Sequence, residues 1–171
     1  MKIAILSDTH GMMHEKALDY LRGVDEIWHG GDIGPVSLIN QLVEIAPIRA
    51  VSGNADPTET KYHLPLTQLF ECEGMTIMIH HIVGRPGRYT PEAKALVVKH
   101  RPQVLVCGHS HILLVAPGKE VPNLLHINPG AAGHHGFHTI CTLLLAEIKD
   151  GKIKDLKAAE LGSRGRLKSV E

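Results

Sequence analysis

Two short peptides, Asp8-Thr9-His10 and Gly108-His109-Ser110-His111, place pairs of metal-type side chains at i and i+2, each where an apolar run stops. On an extended backbone such a pair points to one side. Gly30-Gly31-Asp32, Gly53-Asn54 and His80-His81 sit in the same way at the ends of three further apolar runs. The oxygen and nitrogen donors Asp8, His10, Asp32, Asn54, His80, His109 and His111 are too many for one ion. They suit two ions that share a carboxylate, and the chemistry of such a pair is phosphate-ester hydrolysis. A lone Asp-x-His arises often by chance, and Asp8 or Asp32 taken singly reads equally well as a turn or helix cap. Five strand ends converging on one rim carry the reading, because open α/β sheets bind ligands beyond the carboxyl ends of their strands.

The elements that must position these residues begin as βαβαβ over residues 1–51. Residues 3–6 are a continuous apolar run, as expected of a strand covered on both faces. Ala17, Leu18 and Leu21 fall at helical spacing within residues 14–22, and residues 26–29 read as a second strand. Pro35 suits the first turn of a helix whose stripe is Ile39, Leu42, Val43 and Ala46, and residues 48–51 form the third strand. Residues 68–72 and 75–79 flank Glu73-Gly74 as a hairpin. Thr90-Pro91 opens a helix to about residue 100. Strands follow at 103–107, 112–116, 124–128 and 139–148, and Asp150-Gly151 turns into a last one at 152–159. Residues 83–91 read as a Gly/Pro-rich loop walling the site, with Arg85 and Arg88 as solvent-facing cations. The economical architecture is one α/β domain over residues 1–161, two packed sheets with outer helices, and a basic flexible tail at 162–171.

Composition narrows the class. At 171 residues, 43% hydrophobic and 21% charged, the chain reads as an ordinary globular domain. A formal net charge of +0 and 4% aromatic content offer neither a basic groove nor a stacking surface for long nucleic acid. Cys72, Cys107 and Cys141 are odd in number and far apart, which points to a reducing, cytoplasmic setting. Residues 3–6 are too short a run for a signal peptide or a membrane span.

The ordered set Asp-x-His, Gly-Gly-Asp, Gly-Asn, His and Gly-His-Ser-His resembles the calcineurin-like metallophosphoesterase superfamily, in particular its small single-domain bacterial and archaeal phosphodiesterases. The likeness runs from Asp8 to Asn128-Pro129-Gly130. It implies a four-layer α/β/β/α sandwich, and a first ion on Asp8, His10, Asp32 and His111. It implies a second ion on Asp32, Asn54, His80 and His109, with Asp32 bridging and Asn54 also contacting phosphate. The ions expected are Mn, Ni, Fe, Co or Zn, with Mn ranked first, because mixed imidazole and carboxylate donors suit these better than Mg or Ca. The implied activity is hydrolysis of small phosphodiesters by metal-activated hydroxide. The resemblance also implies a homo-oligomer. The same fold serves as a protein-binding subunit of the retromer coat, so a scaffold is the alternative reading, and a nuclease ranks third.

Three positions depart from the family pattern. Larger relatives carry His after Gly-Asn as a leaving-group acid, whereas this chain has Ala55. Asp56 is then a candidate to orient a ligand imidazole from behind, or else a turn residue before Pro57. His81 fills a position usually held by Gly, and reads as a surface imidazole or a general acid; a shift of one residue would make it the ligand in place of His80. Ala131 stands where Ser often follows Asn-Pro-Gly, and His134, His135 and His138 read as a loop cluster outside the ligand set.

Overall fold

In the computed structural model of the chain, which describes residues 1–165, the first apolar run forms β1 (Lys2–Leu6) and its side chains divide between two cores. Ile3 and Ile5 face one core and Ala4 and Leu6 the other, as the two-residue period of a strand requires. The chain continues through α1 (Ala17–Leu21), β2 (Glu26–His29), α2 (Val36–Ile45), β3 (Ile48–Ala50), α3 (Thr58–His63), β4 (Thr67–Cys72) and β5 (Met75–His80). Then come β6 (Gly84–Arg85), β7 (Arg88–Tyr89), α4 (Pro91–His100), β8 (Val104–Val106), β9 (Leu113–Pro117), β10 (Leu125–Pro129), β11 (Ile140–Lys149) and β12 (Lys152–Ser163).

Two five-stranded sheets result, in the orders β12-β11-β1-β2-β3 and β4-β5-β8-β10-β9. In the first sheet β1, β2 and β3 run parallel and β11 pairs antiparallel with β1. In the second, β5, β8 and β10 are parallel, with β4 and β9 antiparallel at the edges. The inner core joins Ile3, Ile5, Trp28 and Leu144 of one sheet to Ile77, Ile79, Val106 and Ile127 of the other. Leu21, Leu38 and Leu42 cover the outer face of the first sheet, and Ala93 and Val97 that of the second. The layers are therefore α/β/β/α. Burying each such large side chain contributes about 1.5–3 kcal/mol.

Several local expectations are corrected. The first helix is shorter than residues 14–22, and α3 is an unexpected element. Its sequence has no apolar stripe; its buried anchor is Thr60, whose hydroxyl donates to the Gly34 carbonyl at 2.6 Å. Residues 83–91 are not a plain loop, since β6 and β7 form a two-stranded hairpin within them. Gly162 and Ser163 belong to β12, and the Arg164 N–H donates to Thr139 O at 2.9 Å, so the reading of a tail from residue 162 fails at its start. Residues 166–171 of that reading lie outside the described residues.

The strand ends turn in an unusual manner. Asp8, His10, Asp32, His109 and His111 all have positive φ, between 47° and 67°. The pairs at i and i+2 are thus brought to one side by left-handed turns, not by the extended backbone expected. L-residues avoid this region, and clusters of such strain mark functional sites. The turns are fixed by backbone bonds between loops: Asp8 N–H donates to Gly31 O at 3.0 Å and His10 N–H to Asp32 O at 2.9 Å.

His29, at the end of β2, is fully buried between these turns. The Gly31 N–H donates to its Nδ1 at 3.2 Å, so its Nε2–H donates to Thr9 Oγ1 at 3.0 Å, and the Thr9 hydroxyl donates to Ile33 O at 2.9 Å. Burial drives the His29 pKa from 6.5 down to about 3.

Two outcomes follow from this backbone. At His10, the glycine variant His10→Gly is expected to exceed His10→Ala in stability by about 1 kcal/mol, because only glycine takes φ of +47° without strain. Equal urea midpoints for the two variants would contradict it. The unfolded chain protonates His29 near pH 6.5 whereas the folded chain resists down to about pH 3, so stability present above pH 6.5 is lost on acidification through that window. His29→Gln should flatten the pH slope of the chelator-treated protein by up to about 1.4 kcal/mol per pH unit. Urea titrations from neutral to mildly acidic pH measure the slope.

Candidate metal centre

The loops that follow β1, β2, β3, β5 and β8 meet at one end of the two sheets. Two groups of donors come together there. Asp8, His10 and His111 form one, and Asp32, His81 and His109 the other, with the donor atoms of each group within 4.8 Å of one another. Each group draws on both sheets: β1 and β2 lead into the carboxylates, β5 and β8 into the facing imidazoles.

In the first group His111 Nε2 lies 3.2 Å from Asp8 Oδ1 and 3.4 Å from His10 Nε2. His10 Nε2 is 4.0 Å from Asp8 Oδ1 and 3.9 Å from Asp32 Oδ2. Donors held about 2.1 Å from one ion stand roughly 3.4 Å apart in a tetrahedral arrangement, so these spacings match a shared cation. Asp32 Oδ2 also lies 3.2 Å from His81 Nε2, so one carboxylate oxygen borders both groups.

Proton placement makes the case stronger than distance does. His138 Nε2–H donates to Gly133 O at 2.9 Å, which leaves its Nδ1 to accept from His111 Nδ1–H at 3.2 Å. In its neutral form His111 then turns the lone pair of Nε2 toward Asp8, 3.2 Å away. His81 Nδ1–H donates to Gly30 O at 2.7 Å, and the buried His81 Nε2 has no hydrogen-bond partner. A lone pair facing a carboxylate is repulsive unless a cation stands between, and metal-binding imidazoles are oriented in this way through their second nitrogen. The donor set therefore fits divalent ions. Without a cation the same place is filled by a proton: against the effect of burial, Asp32 and Asp8 raise the pKa of His81, which donates to Asp32. Although burial opposes the Asp32 charge, His81, the Ala55 N–H at 2.8 Å and His10 hold its pKa down at about 2.

The assignment of His80 requires correction. β5 ends at His80, whose Nδ1 is bonded to Thr67 Oγ1 at 2.8 Å on β4, and the imidazole delivered to Asp32 is that of His81. Successive side chains of a strand point to opposite faces, so a one-residue difference in where the strand ends exchanges the two. His81 is accordingly not a surface imidazole, being 2% exposed. Asn54 and Ala55 line the same cavity as His10, Asp32, His109 and His111. Among the described residues Asp56 makes no hydrogen bond to an imidazole; its buried carboxylate accepts from Gly34 N–H at 2.7 Å and Gly53 N–H at 2.8 Å, tying the loop after β2 to the loop after β3. Gly53 is required by proximity, since a Cβ there would stand 2.1 Å from Asp32 Oδ1.

Three supporting residues escaped the sequence reading. His29 braces two turns, and His138 orients His111. Asn128 holds the Gly-His-Ser-His turn, its amide donating to Gly108 O at 2.8 Å and to Ser110 Oγ at 3.0 Å. Asn128 could have been found, because it opens the Asn-Pro-Gly peptide; His29 and His138 carry no spacing signal. Arg85 and Arg88 are exposed on the β6–β7 hairpin.

Comparison with known proteins agrees with this geometry. The calcineurin-like phosphoesterase superfamily domain matches residues 1–151. A probable metallophosphoesterase of Methanothermobacter thermautotrophicus is 29% identical over 136 residues, covering 77% of each chain. Another from Methanocaldococcus jannaschii is 28% identical over 139 residues, covering 77% of this chain and 68% of its own. Among solved structures, a protein characterised as a novel archaeal phosphodiesterase superposes with a TM-score of 0.75 at 22% identity, covering 94% of this chain and 99% of that one. Wild-type Vps29 of Entamoeba histolytica, complexed with zinc, superposes with a TM-score of 0.71 at 19% identity, covering 96% and 100%. With its four layers, its paired donor groups and a family match over most of its length, the chain belongs to the calcineurin-like phosphoesterase superfamily.

Proposed function

We propose that the protein is a metal-dependent phosphodiesterase acting on small diesters with two divalent transition ions, manganese the first to test. The observation that carries this reading is the pair of imidazole nitrogens, His81 Nε2 and His111 Nε2, each held 3.2 Å from a carboxylate oxygen, of Asp32 and of Asp8. In this reading Asp8, His10, Asp32 and His111 hold one ion, and Asp32, Asn54, His81 and His109 the other. Bound ions of this kind lower the pKa of water toward neutrality and stabilise charge on phosphoryl oxygens. The chain contributes the rest. Asp32 would be shared between the ions, Asn54 lines the same cavity, and the His109 N–H steadies Asp8 by donating to its carboxylate at 3.1 Å.

Charge favours a diester. Two divalent ions less two carboxylates leave two positive charges, which a diester monoanion and one hydroxide neutralise. A dianionic monoester would call for a further cation, and among the described residues the cavity lined by His10, Asp32, Asn54, His109 and His111 has no lysine or arginine in its wall. Lys61, nearby, is engaged with Asn54 O at 2.8 Å. The free, buried cysteines support a reducing cytoplasmic setting. Among the described residues no helix is long and apolar enough to cross a membrane. The likeness to Vps29 favours a second reading, a protein-binding scaffold; the completeness of the donor set favours the enzyme.

Hydrolysis of bis(p-nitrophenyl) phosphate and of p-nitrophenyl phosphate, with Mn, Ni, Zn or Mg and with chelator, tests the proposal. Turnover that needs metal and prefers the diester is expected. A folded protein inert with every metal would overturn the enzyme in favour of the scaffold. Metal content by mass spectrometry tests the residues. Asp32→Ala should lose both ions, His81→Ala one, and His80→Ala neither. Full occupancy in Asp32→Ala would refute the shared carboxylate, and metal loss confined to His80→Ala would restore the original register.

A further inference from the structure

The cavity over the donor groups, about 350 Å³, is closed on one side by a segment that supplies no candidate ligand: His135, Gly136 and Phe137. This segment, residues 133–138, is firmly held. The Arg164 guanidinium donates to Gly136 O, and His134 Nδ1 meets Arg164 O at 2.5 Å. His138 is pinned between Gly133 and His111. Gly136 has φ of +121°, and a Cβ on it would stand 2.2 Å from His111 Nδ1, so the backbone presses directly on the candidate ligand. Two rings then remain on the cavity wall without a structural task. The His135 ring lies 4.8 Å from that of His10, tilted by 56°. Phe137 is fully exposed, at 103% of its reference area. The only other phenylalanine, Phe70, packs edge-on against Trp28 at 5.3 Å. The small side chain of Ala55 lines the same cavity.

A phenyl ring fixed on a braced backbone, bare to solvent and sharing a cavity with the reacting centre, has its apolar area available to a ligand. We propose that Phe137, with His135 beside it, seats the organic substituent of the phosphodiester and selects a flat π-system, aryl or nucleobase-bearing, over an alkyl group. The proposal rests on the phosphodiesterase reading for its substrate, and on the shared cavity for its geometry. Stacking of a base or aryl ring on an aromatic side chain is tolerant of ring identity, so both classes are accepted.

Calorimetric binding to the metal-loaded protein separates the seat from the activity. The probes are phenylphosphonate against methylphosphonate, and adenosine 5′-monophosphate against ribose 5-phosphate. Each pair shares a head group and differs in the ring. The wild type should bind the ring-bearing member about tenfold more tightly. Phe137→Ala should erase the preference by weakening that member alone, and Phe137→Trp should restore it. Because the side chain is exposed, neither variant disturbs packing. A preference confined to adenosine 5′-monophosphate would narrow the seat to nucleosides, and one confined to phenylphosphonate to simple aryl esters, each still requiring Phe137. No ring preference in the wild type, or an unchanged one in Phe137→Ala, overturns the seat even if diesters are hydrolysed. A Phe137-dependent preference in a protein that hydrolyses no diester would retain the seat and reject the phosphodiesterase.

Discussion

Asp8 and Asp32 are two buried carboxylates at neighbouring strand ends, and the side chains within ion-pair distance of them are imidazoles alone among the described residues. Buried anions without a lysine or arginine partner are costly unless other positive charge reaches them. Backbone donors meet part of the need, from His109 to Asp8 and from Ala55 to Asp32. The imidazoles that approach most closely meet the rest only with a proton or a cation held between nitrogen and carboxylate. The local architecture is organised around this unsatisfied negative potential, and divalent cations are the species that fit it.

Holding such a cluster demands rigid loops, and the supporting contacts act on backbone more than on side chains. Asp56 bridges two glycine amides in different loops, Asn128 grips the turn bearing His109, and His29 links the turns of Asp8 and Asp32 through Thr9 and Gly31. Five candidate ligand residues carry left-handed φ, a strain that persists only where the surroundings over-determine it. Thr60 extends the same logic to α3, which is anchored by a hydroxyl on the Gly34 carbonyl and not by an apolar face.

Much of this was legible in the residues. The apolar runs located β1, β2, β8 and the β4–β5 hairpin, because covered strands are continuous in hydrophobicity. The donors at Asp8, His10, Asp32, His109 and His111 stood out since each ends such a run. The choice between His80 and His81 was not legible, as a strand that ends one residue later reverses the face each presents, and hydrophobicity does not fix its last residue. The left-handed turns were hidden because the residues in them are not glycine. His138 and Arg164 acquire their roles only when β11 and β12 bring distant segments together, which no local pattern encodes.

Because each donor group takes its carboxylate from one sheet and at least one imidazole from the other, an ion seated in either group would be a rivet between the two halves of the sandwich. Its position at the rim complements the apolar layer of Ile3, Trp28, Ile79 and Ile127, which joins the sheets deeper in. The apolar layer draws on none of the donor residues, so loss of an ion would leave its contacts in place.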